Sequence, residues 1–384
     1  MFYYLSQIIL DASVGTTWEQ YASPLRLFRY ITFRAAGGAI TALLLSLWLG
    51  PKFIAFLKKL KFGQDYVDKA EEGGDLKARV LSKKGTPTMG GVMIITIIYF
   101  TVLLWAQWNT LIQLTTLSLV VMTGLGFYDD YAKITQQNSK GAAEHVKLLV
   151  QFLLAGFIAI YIWKNAETRA LITDVMVPFY KYPVLTGAIG TCVGLVLAGL
   201  TIVGSSNAVN LTDGLDGLAI GCTIMVSFVF LILTYVAGNA ILANYLQISF
   251  VPGAGELSVF CAAMIGAGLG FLWFNCHPAR VFMGDTGSLP LGGVLGIIAV
   301  LIHQPFVLVI AGGVFVAEAG SVILQRGYFK YTKRRFGEGR RIFLMSPLHH
   351  HFEKKGWYES QVVTRFYILS VLCAVIALST LKIR

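Results

Sequence analysis

The stretch GAIGTCVGLVLAGLTIVGSSNAVNLTDGLDG, residues 187–217, decides how this chain is read. Its first part belongs to an apolar run near the length that crosses a bilayer as a helix, about 20 residues. Its second part turns to Ser, Asn, Asp and Gly. Working outward, the run at roughly 184–204 is joined by similar ones near 31–50, 88–106, 111–127, 146–163, 217–237, 257–275, 288–304, 306–325 and 362–381. No long polar domain interrupts them. The pattern predicts an all-α polytopic membrane protein of ten transmembrane helices, with residues 1–384 forming one domain. The many glycines in these runs serve close helix packing.

Composition agrees. Hydrophobic residues make up 56% of the 384 and charged residues only 13%, against about 25% charged in soluble domains. The mean hydropathy is +0.67. A soluble domain of this composition could not cover its core with polar surface. The five cysteines form no CxxC pair, which argues against a zinc site or a disulfide framework. Residues 1–30 lack the features of a removable signal peptide, so none is expected.

The net charge of +11 is carried by loops. Connections after the odd-numbered runs hold 22 Lys and Arg, the other connections and both termini hold 7, and Arg34 and Arg365 fall inside runs. The positive-inside rule then puts the odd connections in the cytoplasm and both termini in the periplasm. The basic, aromatic stretch RGYFKYTKRRFGEGRR (326–341) reads as a patch facing the leaflet, not a nucleic-acid site.

Five polar motifs fall on connections of that one parity: KKGTPTMGG (83–91), YDDYAK (128–133), GSSNAVNLTDGLDG (204–217), FNCHPARVFMGDTGS (274–288) and MSPLHHHFEKKG (345–356). A carboxylate at bilayer depth costs about 2.5–3.5 kcal/mol even on a lenient scale, so such residues sit at the interface or serve a purpose. Asp213, Asp216 and Asp285, each beside a span start, could be N-caps. Asp129 and Asp130 close a span, where the helix dipole disfavours negative charge. That pair points to a proton acceptor, a divalent cation, or both. Asp213 and Asp216, three apart, would be neighbours on one helix face. Oxygen-only acidic groups suit Mg²⁺, which bridges carboxylates to substrate phosphates. Lys83, Thr86, Thr88, Asn207, Asn210 and Asn275 suit phosphate and sugar hydroxyls. In His349, His350 and His351 one or two rings donate to substrate phosphate or carboxylate while another packs; zinc is disfavoured because neighbours in sequence rarely converge on one metal. His145, His277 and His303 are isolated and read as structural. From the residues alone, a magnesium-dependent enzyme for a phosphorylated substrate and a cation transporter both stand.

Taken together, GTPTMGG (85–91), Asp129–Asp130, NAVNLTDGLDGLA (207–219), FNCHPARVFMGDTGS and PLHHHFE (347–353) resemble, in order and spacing, the bacterial phospho-N-acetylmuramoyl-pentapeptide transferases of the polyprenyl-phosphate N-acetylhexosamine-1-phosphate transferase superfamily. The histidine motif points to the muramoyl-pentapeptide branch. The resemblance implies transfer of the phospho-sugar peptide from UDP-N-acetylmuramoyl-pentapeptide to undecaprenyl phosphate, giving lipid I and UMP, in the cytoplasmic membrane, by a homodimer that binds no nucleic acid. It implies Asp285 as the Mg²⁺ ligand, Asp129 and Asp130 as the catalytic pair with Asp130 the base, and His349 beside them. Lys83 and Thr88 would face the phosphates, and Asn207, Asn210, Asp213, Asp216, Asn275 and His350 would bind substrate. The segment YTKRRFGEG (331–339) is longer than in many relatives, which leaves Gln325 out of the set.

A sister enzyme using UDP-N-acetylglucosamine and a secondary transporter are the rivals. Transporters bind near the midplane, often between inverted repeats; no repeat is evident here and the motifs hug one face. The topology has a direct check. A single cysteine placed near Lys140 or Gly339 in a cysteine-free background should resist an impermeant thiol reagent in intact cells; labelling of either from outside overturns the orientation.

Overall fold

The structure, a computed structural model, describes residues 1–60, 85–135 and 141–381. All ten apolar runs fold as helices. After an N-terminal helix α1 (Phe2–Ser13) come α2 (Ile31–Lys59), α3 (Gly91–Trp105), α4 (Thr110–Thr135), α5 (Glu144–Lys164), α6 (Gly187–Thr212), α7 (Leu218–Ala237) and α8 (Gly255–Asn275). They are followed by α9 (Asp285–Leu301), α10 (Pro305–Ala311), α11 (Gly313–Phe336), α12 (Leu348–Lys354) and α13 (Glu359–Ser379). Among the described residues no β-strand occurs, only an isolated bridge between Val175 and Leu185.

Seven helices (α2, α4, α5, α6, α7, α8 and α13) are long and apolar enough to cross a membrane. The other three runs differ from simple spans. The ninth is broken at Gly312 into α10 and α11, bent by 86°. The second and eighth, α3 and α9, have 15 and 17 residues. Both are short because their polar starts are held by backbone pairing instead of more helix: Gly90 N–H donates to Phe282 O (2.8 Å), Gly91 N–H to Met283 O (2.9 Å), and Phe282 N–H to Pro87 O (2.8 Å).

Helix α9 is the centre of the bundle. Every residue from Thr286 to Leu301 is buried, and α3, α4, α6 and α7 pack around it. A helix apolar on all sides can only be placed inside such a ring. α8 packs along both α2 and α7. Gly126 on α4 makes a close approach: a Cβ there would run into the carbonyl of Asp285. The first residue of α9 is thereby drawn against α4.

Two helices extend past their apolar runs. α4 continues to Thr135, so Asp129 and Asp130 lie within the helix and not at its C-terminus, and Lys133 follows Asp129 at i+4. α6 continues to Thr212. Asp213 and Asp216 therefore occupy the turn before α7, closed by Gly217 at φ +80, and do not share a helix face as the spacing suggested.

The end of the bundle opposite the motifs is fastened by a pair that the sequence did not reveal. Arg34 on α2 and Glu256 on α8 are both buried and meet in a bidentate fork, 2.5 and 2.6 Å. The Glu256 carboxylate also accepts from Gln107 N–H at 2.8 Å, just past α3. The Met1 amino group donates to Leu103 O at 2.7 Å, and α13 runs from Glu359 at the motif end to Ser379 at this one. Removing one partner leaves a buried charge uncompensated, at a cost of about 3–5 kcal/mol, whereas apolar replacement of both can be neutral. Glu256→Leu should lower the melting temperature in detergent sharply and Arg34→Met/Glu256→Leu should recover most of it. Equal losses in both variants would show that the ion pair is not the fastening.

Candidate active site

At the motif end the N-terminus of α9 meets α4. The Asp130 carboxylate accepts from Asp285 N–H (3.2 Å), Thr286 N–H (2.9 Å) and the Thr286 hydroxyl (2.6 Å). The first amides of a helix lack partners within it, and buried in the bundle they need one. Asp130 supplies it from another helix. Gly284, at φ +73, forms the turn that brings this about: a Cβ there would lie 2.5 Å from Asp130 Oδ2 and 3.1 Å from Thr88 Oγ1. Thr88 is thus at the site, and buried.

Capping by Asp130 fixes where Asp285 points. Its Oδ1 accepts from Asn210 Nδ2 (2.8 Å), which also donates to the Ser288 hydroxyl (2.9 Å). Its Oδ2 lies 3.1 Å from both Lys133 Nζ and Lys147 Nζ. Those ammonium groups also hold Asp129, at 2.5 Å from Lys133 and 2.7 Å from Lys147. Asp129 in turn accepts from Ala142 N–H at 2.8 Å, and its side chain has no exposure. Carboxylate oxygens of Asp129, Asp130 and Asp285 all come within 4.8 Å of one another. Three acids this close require cations between them, and two lysines provide them.

Next to this cluster lies the turn of the second Asp-Gly motif. Asp216 N–H donates to Glu359 Oε1 (2.9 Å), and Asp216 Oδ2 accepts from Ala279 N–H and meets His277 Nδ1, both at 3.1 Å. His277 is therefore not isolated. Asn275 spends both ends of its amide on backbone, accepting from Gly217 N–H (3.1 Å) and donating to Val281 O (2.8 Å). Asn207 faces away from the acids, donating to Gln151 Oε1 and Val203 O, each at 2.8 Å.

The three histidines have separate surroundings. His349 is buried against Glu318 of α11, with Nδ1 3.2 Å from Oε2; burial pushes its pKa below the usual histidine value. His350 Nδ1 meets Glu353 Oε2 at 2.8 Å. His351 Nδ1 accepts from Leu344 N–H at 3.1 Å and so shapes the preceding loop. Gln325 pins that loop too, accepting from Ile342 and Phe343 N–H, each at 3.0 Å. Lys83 lies outside the described residues.

The chain is similar over its length to proteins of known family. The Glycosyl transferase family 4 profile matches residues 111–303, and phospho-N-acetylmuramoyl-pentapeptide-transferase signature 1 matches residues 83–95. A phospho-N-acetylmuramoyl-pentapeptide-transferase of Opitutus terrae is 49% identical over 95% of this chain and 98% of its own. That of Methylacidiphilum infernorum is 48% identical over 96% and 98%, and that of Desulfotalea psychrophila 46% over the full length of both. The chain belongs to the phospho-N-acetylmuramoyl-pentapeptide-transferase family. It is a transferase of peptidoglycan precursor synthesis.

For a phospho-N-acetylmuramoyl-pentapeptide-transferase, the sequence reading missed four polar side chains at the site. Lys133 was legible, one helical turn after Asp129 in YDDYAK, had the helix been extended past residue 127. Lys147, Glu318 and Glu359 carried no local signal, since only the packing of α5, α11 and α13 brings them to the motifs. Asp130 has a direct check. Asp130→Ala leaves two backbone donors of α9 unmet and should destabilise the protein by about 2–3 kcal/mol, read as a fall in melting temperature, while Asp130→Asn, which keeps an acceptor oxygen, should lose less. Unchanged melting in both variants together with abolished turnover would mark Asp130 as a base and not a cap.

Proposed function

We propose that this chain transfers phospho-N-acetylmuramoyl-pentapeptide from UDP-N-acetylmuramoyl-pentapeptide to undecaprenyl phosphate, with Asp285 as the magnesium ligand. The observation that carries the site assignment is Asp285 at the capped start of α9, facing Asp129 and flanked by Lys133 and Lys147. The donor set fits Mg²⁺: carboxylate oxygens only, already gathered around positive charge. Asp285, with Asp129 beside it, would hold the ion, which would supply charge neutralisation where two anionic phosphates must approach.

The protein's own groups do the remaining work. Asn210 holds Asp285 in place, and Asp130, which caps the start of α9, serves as a base or positioning group and not as a nucleophile. Lys133 and Lys147, beside the Asp285 carboxylate, are placed to meet phosphate oxygens. Lys83 and Thr88 face the phosphates from the 83–91 segment. Asp213, Asp216, Asn275, His349 and His350 border the region for nucleotide and sugar, while Asn207 supports it through α5.

A lipid phosphate oxygen attacks the β-phosphorus of the UDP-sugar directly. The new P–O bond forms as the bond to the bridging oxygen breaks, and UMP leaves. The acceptor is already an anionic nucleophile, so a covalent enzyme intermediate would solve no problem of weak nucleophilicity. The reading extends to one membrane domain with ten crossings, multi-pass in the bacterial cytoplasmic membrane, with the site on the cytoplasmic side, both termini periplasmic, and two copies associating. The uneven loop charges support the orientation, and the family resemblance supports the dimer.

Purified protein with Mg²⁺ and undecaprenyl phosphate should release UMP from UDP-N-acetylmuramoyl-pentapeptide and not from UDP-N-acetylglucosamine. Asp285→Asn should cut turnover by several orders of magnitude while the protein still folds; near-normal rates at ordinary Mg²⁺ would remove Asp285 as the ligand. Without lipid acceptor, a stoichiometric burst of UMP with label on Asp129 or Asp130 would sink direct attack.

A further inference from the structure

The Glu318 carboxylate is a buried acid at the motif end that neither the acid cluster nor the Asp216 turn uses. It lies on α11, beyond the break at Gly312, with a side-chain exposure of 0%. A carboxylate so placed is retained for a purpose. Its partner is His349, 1% exposed: the His349 backbone N–H donates to Oε1 at 3.2 Å and the ring Nδ1 stands 3.2 Å from Oε2. Other ionisable groups near the pair include His350, whose ring centroid is 4.2 Å from that of His349, Glu353, which His350 engages, and the buried Cys222 of α7, near Glu318.

Neither ring nitrogen of His349 makes a well-formed hydrogen bond within the protein, although Nδ1 has the Glu318 carboxylate 3.2 Å away. Nε2, at the far edge of the ring, is buried. It lies against Gly214, close enough that a Cβ at that position would collide with it. The orphan nitrogen is therefore aimed at the Asp213–Asp216 turn, and the glycine is what lets the turn come so near. A neutral imidazole has one N–H and one lone pair, and the partner on one nitrogen decides which is which. With a carboxylate at Nδ1 the proton belongs there.

We propose that Glu318 is a positioning residue that holds His349 as the Nδ1–H tautomer, so that Nε2 accepts a hydrogen bond from a hydroxyl or amide N–H of the nucleotide-sugar at the Asp213–Asp216 turn. This replaces the expectation that the histidine donates to a phosphate, and it rests on the substrate placement given above. An anionic oxygen offers no proton to Nε2; a ribose or sugar hydroxyl, or a pyrimidine or acetamido N–H, does. The buried, neutral state of the ring fits the lowering of its pKa by desolvation.

The test is nitrogen NMR on the full-length protein in lipid nanodiscs with ¹⁵N-histidine, the His349 signals being assigned by their loss in His349→Gln. The expected spectrum has a protonated Nδ1 and a bare, pyridine-type Nε2 whose resonance shifts when UDP-N-acetylmuramoyl-pentapeptide binds. Glu318→Leu should give a mixed tautomer and lower kcat/KM by about 10- to 100-fold, as the loss of a carboxylate behind a functional histidine does. In a His349→Gln background the same change should cost nothing further, because the two residues act as one unit. A protonated Nε2 or an imidazolium in the wild type overturns the proposal, and so does a Glu318→Leu loss that is undiminished in the His349→Gln background. If Glu318→Leu fails to fold, the wild-type spectrum still decides. Absence of UMP release from wild-type protein would instead reject the proposed reaction and leave the tautomer assignment standing.

Discussion

The start of α9 is a helix N-terminus inside a ring of other helices, and its amides must find acceptors there. Asp130 provides them from α4. Much of the candidate site follows from this contact. It sets the direction in which Asp285 leaves the helix, draws Thr88 and the 85–91 segment in through Gly284, and forces Asp129, the neighbour of Asp130, into the same few ångströms. The price is a crowd of negative charge, and Lys133 and Lys147 offset it. The three carboxylates gathered there are oxygen donors of the kind that could hold a divalent cation.

Two buried carboxylates outside the Asp129–Asp130–Asp285 cluster, Glu256 and Glu318, illustrate different answers to one problem. At the far end, Glu256 is matched by a guanidinium in a closed fork, both carboxylate oxygens being engaged. At the motif end, Glu318 is matched by an imidazole that sits beside it at Nδ1 without a well-formed hydrogen bond and turns Nε2 to Gly214. The first arrangement ties helices together. The second leaves a ring nitrogen facing the Asp213–Asp216 turn.

The three consecutive histidines also show how adjacent residues diverge once folded. A short helix rotates each ring by about 100° from the next, so His349 points inward to Glu318, His350 toward Glu353, and His351 back to the Leu344 amide. Three neighbours cannot then meet on one metal. The sequence-level argument against zinc had the same basis.

Sequence alone determined the helical class, the ten apolar runs and the side of the chain on which the motifs fall, since hydrophobic length and the parity of connections are properties of linear order. It also picked Asp129, Asp130, Asn210 and Asp285 as companions. Tertiary structure decided the rest. Linear order could not show that α4 and α6 run past their apolar stretches, because a polar helix end and a polar loop have similar composition. It could not show that Asn207 and Asn275 turn their amides to Gln151 and to backbone, or that Lys147, Glu318 and Glu359 arrive from separate helices. Long-range packing of α5, α11 and α13 puts those groups beside the motifs, and no spacing within a segment encodes a contact made between segments.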